Sequence, residues 1–462
     1  ISSTKTFSSL KVLLIEEMAT KNVLELIEST YDVGAIVTTD GTPVWPLIRQ
    51  AVYFKTMQKK VQYSNKLRTR SKWQLLKNFF YGIGNLFRLT RFEYIFFNNT
   101  DKRTELGDKM FDIYYDAWAD ALNADKSLFI EWAIDHHLPK SEVHSKNVVS
   151  DLPMKLWAGF HTTFTKVTIR NEELLWQILK EQGIQLNVKK ELKAKLGIYK
   201  AYRSLFKKAQ PKAVFVLSSF TKVGEVMAAK ELSIPVYEAQ HGYIGHTHPF
   251  YHAQKKFPTF YPDYLISFGA SEKLEKQSSL IFNSQSIIPV GSLQLDLVKQ
   301  RTLPQQLAAF KENYAKLFCV TLQAIKDETI LEWVKSQAKT NPTWLFIVRP
   351  KQPNTTFELY TKANNVLILP ELSTYDVLKA CDYNITIFST TVVEGIYLDA
   401  SPILFNIDDL PYKYFDLKNS DIAIIKNGEP LSEAHLAKGG TFKTPYFVEN
   451  YFDNVEKAAL CI

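Results

Sequence analysis

The stretch NITIFSTTVVEGIYLDASPILFN, residues 384–406, decides the fold class of this chain of 462 residues. It opens with an apolar run rich in β-branched residues, which indicates a strand, and a Ser/Thr-rich turn follows at residues 389–391. A helical segment comes next, and Pro402 opens a second apolar run. Strand, turn, helix and strand in this order form the repeating unit of a parallel α/β sheet.

The same alternation extends in both directions along the chain. The first series of predicted strands is KVLLIE (11–16), VGAIVTT (33–39), EYIFFN (93–98), SLFIEW (127–132), AVFVLS (213–218), PVYEAQ (235–240) and YLISFG (264–269). The second series is LFCVTLQ (317–323), WLFIVRP (344–350), NVLILP (365–370), YNITIFS (383–389) and SPILFNI (401–407). The series changes within residues 287–306, so we expect two α/β domains, 1–295 and 296–445. Two such domains usually bind a ligand in the cleft between them, at the carboxyl ends of the strands.

The cysteine content and the apolar runs bound the cellular setting. The three cysteines, Cys319, Cys381 and Cys461, show no CxxC spacing, which argues against a disulfide framework and a cysteine zinc site. The longest apolar runs are much shorter than the roughly 20 residues of a membrane-spanning helix. We therefore expect a cytoplasmic protein.

The positive charge of the chain is concentrated in one segment. The formal net charge is +8, and residues 41–92 contain eleven Lys and Arg but no Asp or Glu. Aromatic residues are interleaved with these charges, as in helical segments that lie on an anionic membrane surface. A solvated basic face with its aromatics turned into the core is the more ordinary interpretation. We expect no nucleic-acid partner, because no recognised nucleic-acid-binding module accompanies the segment.

The quoted stretch also contains candidate ligand-binding residues. Ser389, Thr390 and Thr391 stand where a helix begins, and hydroxyls with free backbone N–H groups can hold a phosphate. Glu394 follows one turn later and can accept hydrogen bonds from ribose hydroxyls, or merely form a capping box with Thr391.

A second group of candidates follows the predicted strand WLFIVRP. Arg349 and Lys351 lie at its end, where they can reach the same phosphates from a neighbouring strand. Surface salt bridges are the alternative role for these two side chains.

Four segments together resemble the nucleotide-binding domain of GT-B fold glycosyltransferases. They are VGSLQLD (290–296), RPK (349–351), LPELSTYDVLKACDYNITIFSTTVVEG (369–395) and DASPILF (399–405). The resemblance covers roughly residues 210–410 and is greatest to bacterial capsule and surface-polysaccharide transferases. These include enzymes that use CMP-activated acidic sugars, and related CDP-glycerol glycerophosphotransferases.

The resemblance implies a fold and a set of donor-binding residues. The fold would be α/β, with two Rossmann-like domains facing a cleft and a C-terminal segment, 446–462, packing back on the first domain. The residues implied for the donor nucleotide are Gly291, Ser292, Arg349, Lys351, Ser389, Thr390, Thr391 and Glu394. Many relatives have HP where this chain has RPK, so the nucleotide stays open.

The stretch PVYEAQHGYIGHTHPFYH, residues 235–252, is the candidate for the acceptor side of the cleft. Surface-polysaccharide transferases resemble one another in a QHG or EDG turn, which here places His241 at the acceptor. An imidazole has a pKa near 6.5 and can accept a hydroxyl proton. Glu238 would orient the ring if the turn begins before His241, and His246 and His248 would contact the acceptor.

Other interpretations of these residues stay open. His241 can equally be a structural histidine in a polar loop, whereas the irregular histidine spacing argues against a metal site. Asp40, after the strand at 33–39, is a second candidate base or a simple Asp-Gly turn. The chain has no GxGxxG fingerprint and no Walker loop, which argues against nicotinamide chemistry and P-loop phosphoryl transfer.

The sequence thus predicts a bacterial, metal-independent glycosyltransferase without a cofactor. It would move a sugar from a nucleotide-sugar donor, for example a CMP-activated acidic sugar, to a surface glycan such as capsule or lipopolysaccharide, or to a lipid-linked acceptor. The alternatives are a CDP-polyol phosphotransferase, a nucleotide-sugar epimerase and a non-catalytic membrane-docking assembly protein. The basic segment 41–92 raises the option of a peripheral position at the inner membrane.

Overall fold

The computed structural model describes residues 23–58, 71–245, 248–274, 278–351, 364–417, 420–442 and 444–462. The predicted strand at 11–16 lies outside these ranges. Within them, no helix combines the length and apolarity needed to cross a bilayer.

The helices of the first part of the chain lie on and beside a long parallel sheet. They are α1 (Val23–Thr30), α2 (Trp45–Gln58), α3 (Lys72–Phe80), α4 (Asp116–Leu122), α5 (Leu152–Phe164), α6 (Glu172–Glu181), α7 (Val188–Ala209), α8 (Val223–Glu231), α9 (Ser271–Leu274) and α10 (Leu293–Gln300). The strands are β1 (Val37–Thr38), β2 (Tyr94–Asn99), β3 (Arg103–Leu106), β4 (Lys109–Asp112), β5 (Ser127–Trp132), β6 (Val148–Ser150), β7 (Ile169–Arg170), β8 (Ala213–Leu217), β9 (Val236–Ala239), β10 (Tyr264–Ser267) and β11 (Ile287–Pro289).

The first sheet is parallel, in the order β11-β10-β9-β8-β2-β5-β6. Its central strands are buried on both faces, which explains their nearly continuous apolar sequences. Phe96 stacks between Phe129 and Phe215 on one face, while Ile95 and Phe97 enter the core on the other. The predicted strands at 93–98, 127–132, 213–218, 235–240 and 264–269 are all confirmed to within two residues.

The second sheet is built from the rest of the chain in the same way. Its helices are α11 (Gln305–Asn313), α12 (Asp327–Thr340), α13 (Thr374–Ala380), α14 (Thr391–Tyr397), α15 (Leu410–Tyr414) and α16 (Glu433–Leu436), and α17 (Tyr451–Ala459) ends the fold. Its strands are β12 (Lys316–Thr321), β13 (Trp344–Arg349), β14 (Val366–Ile368), β15 (Tyr383–Thr386), β16 (Ser401–Asn406) and β17 (Ala423–Lys426). They are parallel, in the order β14-β13-β12-β15-β16-β17, and helices cover both faces.

Each sheet has a point where the direction of strand addition reverses. In the first sheet the chain runs from β2 outward to β6 and then returns to β8, on the other side of β2. In the second it runs from β12 to β14 and returns to β15, on the other side of β12. Helices that leave a reversal point diverge to opposite faces, so a crevice opens at the carboxyl ends of the strands.

The strand predicted at 33–39 is confirmed only for residues 37–38, and these lie outside the main sheet. Residues 33–35 form a 3₁₀ turn, and β1 has two residues that pair antiparallel with β7, outside the main sheet. A turn at Gly41 returns the chain at once, because Thr38 N–H donates to the Thr42 carbonyl at 2.9 Å. Val33 and Ile36 then pack in a separate core with α2 and α7.

The basic segment is helical, as predicted, but many of its aromatics do not turn into the core. The described parts of residues 41–92 form α2, α3 and two short 3₁₀ turns, and residues 59–70 lie outside the described ranges. Phe54, Trp73, Phe80 and Phe87 are exposed. The more ordinary interpretation of the segment is therefore wrong for these four side chains.

The C-terminal residues run along the first sheet. Val448 N–H donates to the Phe268 carbonyl at 2.9 Å, and Tyr451 N–H donates to the Asp296 carboxylate at 2.7 Å. The Asn454 side chain reaches the Val290 carbonyl at 3.2 Å, and α17 packs against α4. Residues 446–459 thus cover the carboxyl side of the last strands of the first sheet.

Candidate active site

A cleft lies between the two sheets at the carboxyl ends of their strands. Its empty volume is about 740 Å³, which includes the open solvent at its mouth. The first sheet contributes residues 239–243 and 290–295, and the second contributes Thr390, Val393 and Glu394. The cleft therefore brings the QHG turn opposite the Ser/Thr turn of the second sheet.

His241 stands in a network of hydroxyl groups on the first sheet. β9 ends at Ala239, so the chain turns before His241 and the imidazole reaches the cleft. Its Nε2 is 3.0 Å from the Ser218 hydroxyl, and its Nδ1 is 3.5 Å from the Tyr251 hydroxyl. Tyr251 donates to the Glu238 carboxylate at 3.0 Å. Glu238 is thus connected to the ring through Tyr251 and not directly.

Burial sets the protonation of this network. It lowers the pKa of His241 to about 4, so the imidazole is neutral at physiological pH. Burial raises the pKa of Glu238, which is fully buried, and hydrogen bonds from Ser219 and Tyr251 partly oppose this shift. A neutral imidazole beside hydroxyl groups has the protonation state that a general base requires.

Glu394 is the titratable group on the opposite wall. Its Oε1 accepts a hydrogen bond from the Tyr375 hydroxyl at 3.1 Å. Burial raises the pKa of this carboxyl to about 7, while Tyr375 acts in the opposite direction. The N-cap of α14 is Thr390, whose side chain makes no capping hydrogen bond, so the predicted capping box between Thr391 and Glu394 is absent.

Replacing Glu394 with glutamine should stabilise the fold at alkaline pH. The raised pKa means that the native state holds a proton between pH 4.5 and 7 that the unfolded chain has lost. The stabilisation that this bound proton gives the native state is complete below about pH 4.5 and is lost as pH rises through 7. Glutamine does not ionise and so avoids the cost of a buried charge. The free energy of unfolding of Glu394→Gln should therefore exceed that of wild type by about 1–3 kcal/mol at pH 8 and equal it at pH 4.5.

Urea unfolding at the two pH values measures this difference. Glu456→Gln, an exposed position on α17, is the matched control and should change stability by less than about 0.5 kcal/mol at either pH. A glutamine variant at 394 that is no more stable than wild type at pH 8 would contradict the assignment.

Gly291 and Ser292 also line the cleft, as the resemblance implies. Gly291 has φ +96°, and a Cβ there would lie 2.4 Å from the Val448 carbonyl oxygen. Only glycine therefore allows the C-terminal residues to pack against this wall.

We expect Gly291→Ala to destabilise the protein by about 2–4 kcal/mol, because it adds left-handed strain to a clash with backbone. Gly41→Ala is the control: φ is +86° there, but the space around Gly41 is open. It should cost only the left-handed strain, about 1–2 kcal/mol. If Gly291→Ala and Gly41→Ala lost equal stability in thermal or urea unfolding, Val448 would have to move away from the new Cβ without an energetic cost.

Several predicted donor residues are not among the side chains that form the cleft wall. Ser389 and Thr391 are buried, and Thr391 Oγ1 lies 2.8 Å from Thr321 Oγ1 on the neighbouring strand. Lys351 is exposed just after β13. Of the three predicted hydroxyl residues, only Thr390 lines the cleft.

Arg349 is engaged within the second sheet. Its guanidinium donates to the carbonyls of Leu369 and Leu372, the latter at 2.6 Å, and to the Thr374 hydroxyl at 3.4 Å. β12 separates β13 from β15, so the end of β13 is not adjacent to the Ser/Thr turn. The expectation that Arg349 reaches from a neighbouring strand is wrong, because the two strands are not neighbours.

Two other predicted residues, Asp40 and His248, are not among those that line the cleft. Asp40 is exposed in the turn after β1, where a hydrogen bond from Thr38 lowers the pKa of its carboxyl. The His248 ring packs against Tyr251 at 4.7 Å between centroids, and burial lowers the pKa of His248 to about 3. His246 lies outside the described residues.

Two α/β sheets with a shared cleft at their carboxyl edges form the GT-B arrangement. The fold class predicted from the sequence is confirmed.

The comparisons with known proteins show structural similarity only at low sequence identity. No protein-family model matches the chain, and no curated protein matches it in sequence. Among solved structures, it is similar to UDP-GlcNAc 2-epimerase from Neisseria meningitidis bound to UDP-GlcNAc, with 13% identity, a TM-score of 0.47 and coverage of 80% of this chain and 99% of that one. It is also similar to CalG4, the calicheamicin glycosyltransferase, with 11% identity, a TM-score of 0.41 and coverage of 80% and 94%. Similarity at this level does not identify a shared substrate or reaction.

The structure adds four residues that sequence reasoning missed. Ser218 and Tyr251 contact His241, and Tyr375 contacts Glu394. The positive charge of Lys102, which follows β2, acts on His241 and helps to lower its pKa after burial. Ser218 alone carried a signal in the sequence, since it is the last residue of the predicted strand 213–218. In the structure its φ of +56° is a strained conformation of the kind found at functional sites.

Proposed function

We propose that this protein is a bacterial glycosyltransferase that moves a sugar from a nucleotide-activated donor to a surface glycan or lipid-linked acceptor. The observation that carries the proposal is the cleft between the two strand-reversal points, with an imidazole on one wall and a carboxyl on the other. Ligands of open α/β sheets bind at such points.

The second sheet holds the donor in this proposal. The Glu394 carboxyl accepts hydrogen bonds from the ribose, and the Thr390 hydroxyl and the backbone at Gly291 contact the phosphates across the cleft. No step of the scheme needs a metal ion or another cofactor.

The first sheet activates the acceptor. A hydroxyl of the acceptor loses its proton to neutral His241 as its oxygen attacks the anomeric carbon, and the bond from that carbon to the donor phosphate breaks. Ser218 and Tyr251 hold the ring in position, and buried Glu238 orients Tyr251.

Calorimetric titration with CMP, CDP, UDP and GDP tests the donor site. We expect one nucleotide to bind, and Glu394→Gln and Thr390→Val to weaken it at least about tenfold, the effect of one lost hydrogen bond to a charged or phosphate group. Thr340→Val, at an exposed hydroxyl on α12, is the control and should bind like wild type.

Incubation with the sugar form of that nucleotide then tests the reaction. A transferase consumes the donor only when a glycan or lipid-linked acceptor is present, whereas an epimerase converts it alone. Binding of none of the four nucleotides by folded protein would overturn the proposal.

A further inference from the structure

An exposed apolar surface on the first sheet's outer helices is not used by the cleft. Trp73 is 73% exposed on α3, Phe87 is 78% exposed in the turn after it, and Leu156 and Phe164 on α5 are 66% and 69% exposed. Single exposed apolar side chains are ordinary, but clusters of large ones mark interaction sites.

Contacts place α3 and α5 beside the end of the same strand, β5. Gln74 and Asn78 of α3 both donate to the Asp135 carbonyl at 3.0 Å, just beyond β5. The Lys155 ammonium of α5 lies 5.2 Å from the ring centroid of Trp132, at the end of the same strand. The surface, named here the α3–α5 surface, comprises Trp73, Leu76, Phe80, Phe87, Trp132, Leu156, Trp157, Phe160 and Phe164.

The α3–α5 surface carries positive charge at its edges and within it. Residues 41–92 and 152–171 contain no Asp or Glu. A groove beside Trp157 is lined by Lys200, Arg203, Lys207 and Lys208 of α7. Exposed rings surrounded by lysine and arginine are the composition of surfaces that lie at the interface of an anionic bilayer.

We propose that the α3–α5 surface docks onto an anionic phospholipid bilayer, with its aromatic rings at the acyl boundary and the α7 lysines against the lipid phosphates. Charge favours this occupant over a second copy of the chain, because a two-fold interface would set like charges against each other. Trp132 ends a strand of the sheet whose carboxyl edge forms the cleft, so the bilayer would lie beside the mouth. The inference goes beyond the proposed function and holds whichever reaction the cleft performs.

Vesicle co-sedimentation of the full chain tests the docking. We expect binding to phosphatidylcholine vesicles that contain about 30% phosphatidylglycerol, a share of anionic lipid similar to that of an anionic membrane leaflet. Binding to vesicles of phosphatidylcholine alone should be much weaker. Phe160→Ser with Phe164→Ser should lower the partition coefficient at least about tenfold. Lys207→Gln with Lys208→Gln should lower it about tenfold and weaken its salt dependence.

Matched variants distinguish the surface from general stickiness. Trp176→Ser, an exposed ring on α6, and Lys335→Gln with Lys339→Gln, exposed on α12, should bind vesicles like wild type. Equal binding to both vesicle types, no binding, or control variants as weak as the surface variants would overturn the proposal. A dimer in light scattering that dissociates in Phe160→Ser with Phe164→Ser would assign the surface to a second copy instead. Nucleotide titration of the same variants should stay unchanged, which separates this test from that of the proposed function.

Discussion

His241→Asn is expected to lower the rate of sugar transfer by about 10²–10⁴-fold, the usual contribution of a positioned general base. Asparagine keeps a polar group of similar size near Ser218 and Tyr251 but cannot accept the acceptor proton. The affinity for the nucleotide, which contacts the opposite wall in our proposal, should change little. The loss should therefore appear in kcat and not in the calorimetric Kd.

The pH dependence assigns any titration near pH 7 to Glu394 and not to His241. Burial lowers the pKa of His241 to about 4, so its imidazole stays neutral from pH 6 to 9 and contributes no change of rate there. The pKa of Glu394, raised by burial to about 7, places its ionisation inside this range. Any inflection of kcat/KM near pH 7 should therefore vanish in Glu394→Gln and persist, at a much lower rate, in His241→Asn.

Two further variants complete this experiment. Tyr251→Phe keeps the ring but removes the hydroxyl that joins Glu238 to His241, so it should reduce kcat less than His241→Asn does. His144→Asn replaces a histidine that pairs with Asp120 on the surface and should be as active as wild type. If His241→Asn retained more than a tenth of the wild-type kcat, His241 would not be the base.

The fold was predictable because strands that are buried on both faces have recognisable apolar sequences. Strands such as β2 and β8 pack helices on both faces, and their sequences are nearly continuous apolar runs. The strand at 33–39 was not predictable in the same way. Its apolar residues serve a small local core beside α2, and an apolar run of that length does not distinguish a strand from a helical turn.

The site was only partly predictable, because strand order is not a property of any local stretch. Residues after a strand were expected in the cleft, and His241, Thr390 and Glu394 are there. Pairing of β8 with β9 brings Ser218 to His241 across 23 positions of sequence. The insertion of β12 between β13 and β15 removes Arg349 from the turn that it was expected to serve.

The first sheet also contains a buried ionic network. Arg103 donates from Nε to Glu131 at 2.8 Å and from Nη1 to Asp116 at 3.4 Å. Asp112 shares the cluster through Asn98, at 3.2 Å. The side chain of Arg103 is inaccessible to solvent, and so are the carboxylates of Asp116 and, to within 1%, Glu131.

The carboxyls of this network depend on one cation. Burial raises the pKa of Asp112 to about 7 and raises that of Asp116, and Arg103 opposes both shifts. In Glu131 the hydrogen bond from His137 and the charge of Arg103 together outweigh burial, so its pKa is lowered. Removing the guanidinium would leave up to three buried carboxylates with hydrogen-bond donors but without the positive charge that they share.

Arg103→Met should therefore destabilise the protein by about 3–5 kcal/mol at pH 8, the cost of breaking a buried ion pair by removing one partner. Methionine keeps much of the side-chain volume, so the loss reports charge more than packing. Without the guanidinium, the raised pKa values of Asp112 and Asp116 rise further and the lowered pKa of Glu131 rises as well, so protonation relieves the native state as pH falls. The deficit in urea unfolding should thus shrink between pH 8 and pH 5.

Arg203→Met provides the control, since Arg203 pairs with Glu231 at 3.0 Å but both side chains are about two-fifths exposed. A surface pair of this kind is worth at most about 1 kcal/mol. Because the substitution is the same at both sites, the difference between the two variants isolates burial of the partner carboxylates. Equal losses of stability in the two variants would mean that water or protonation already compensates the buried carboxyls. Arg103 would then not be the group that stabilises three acidic side chains in the interior of the first sheet.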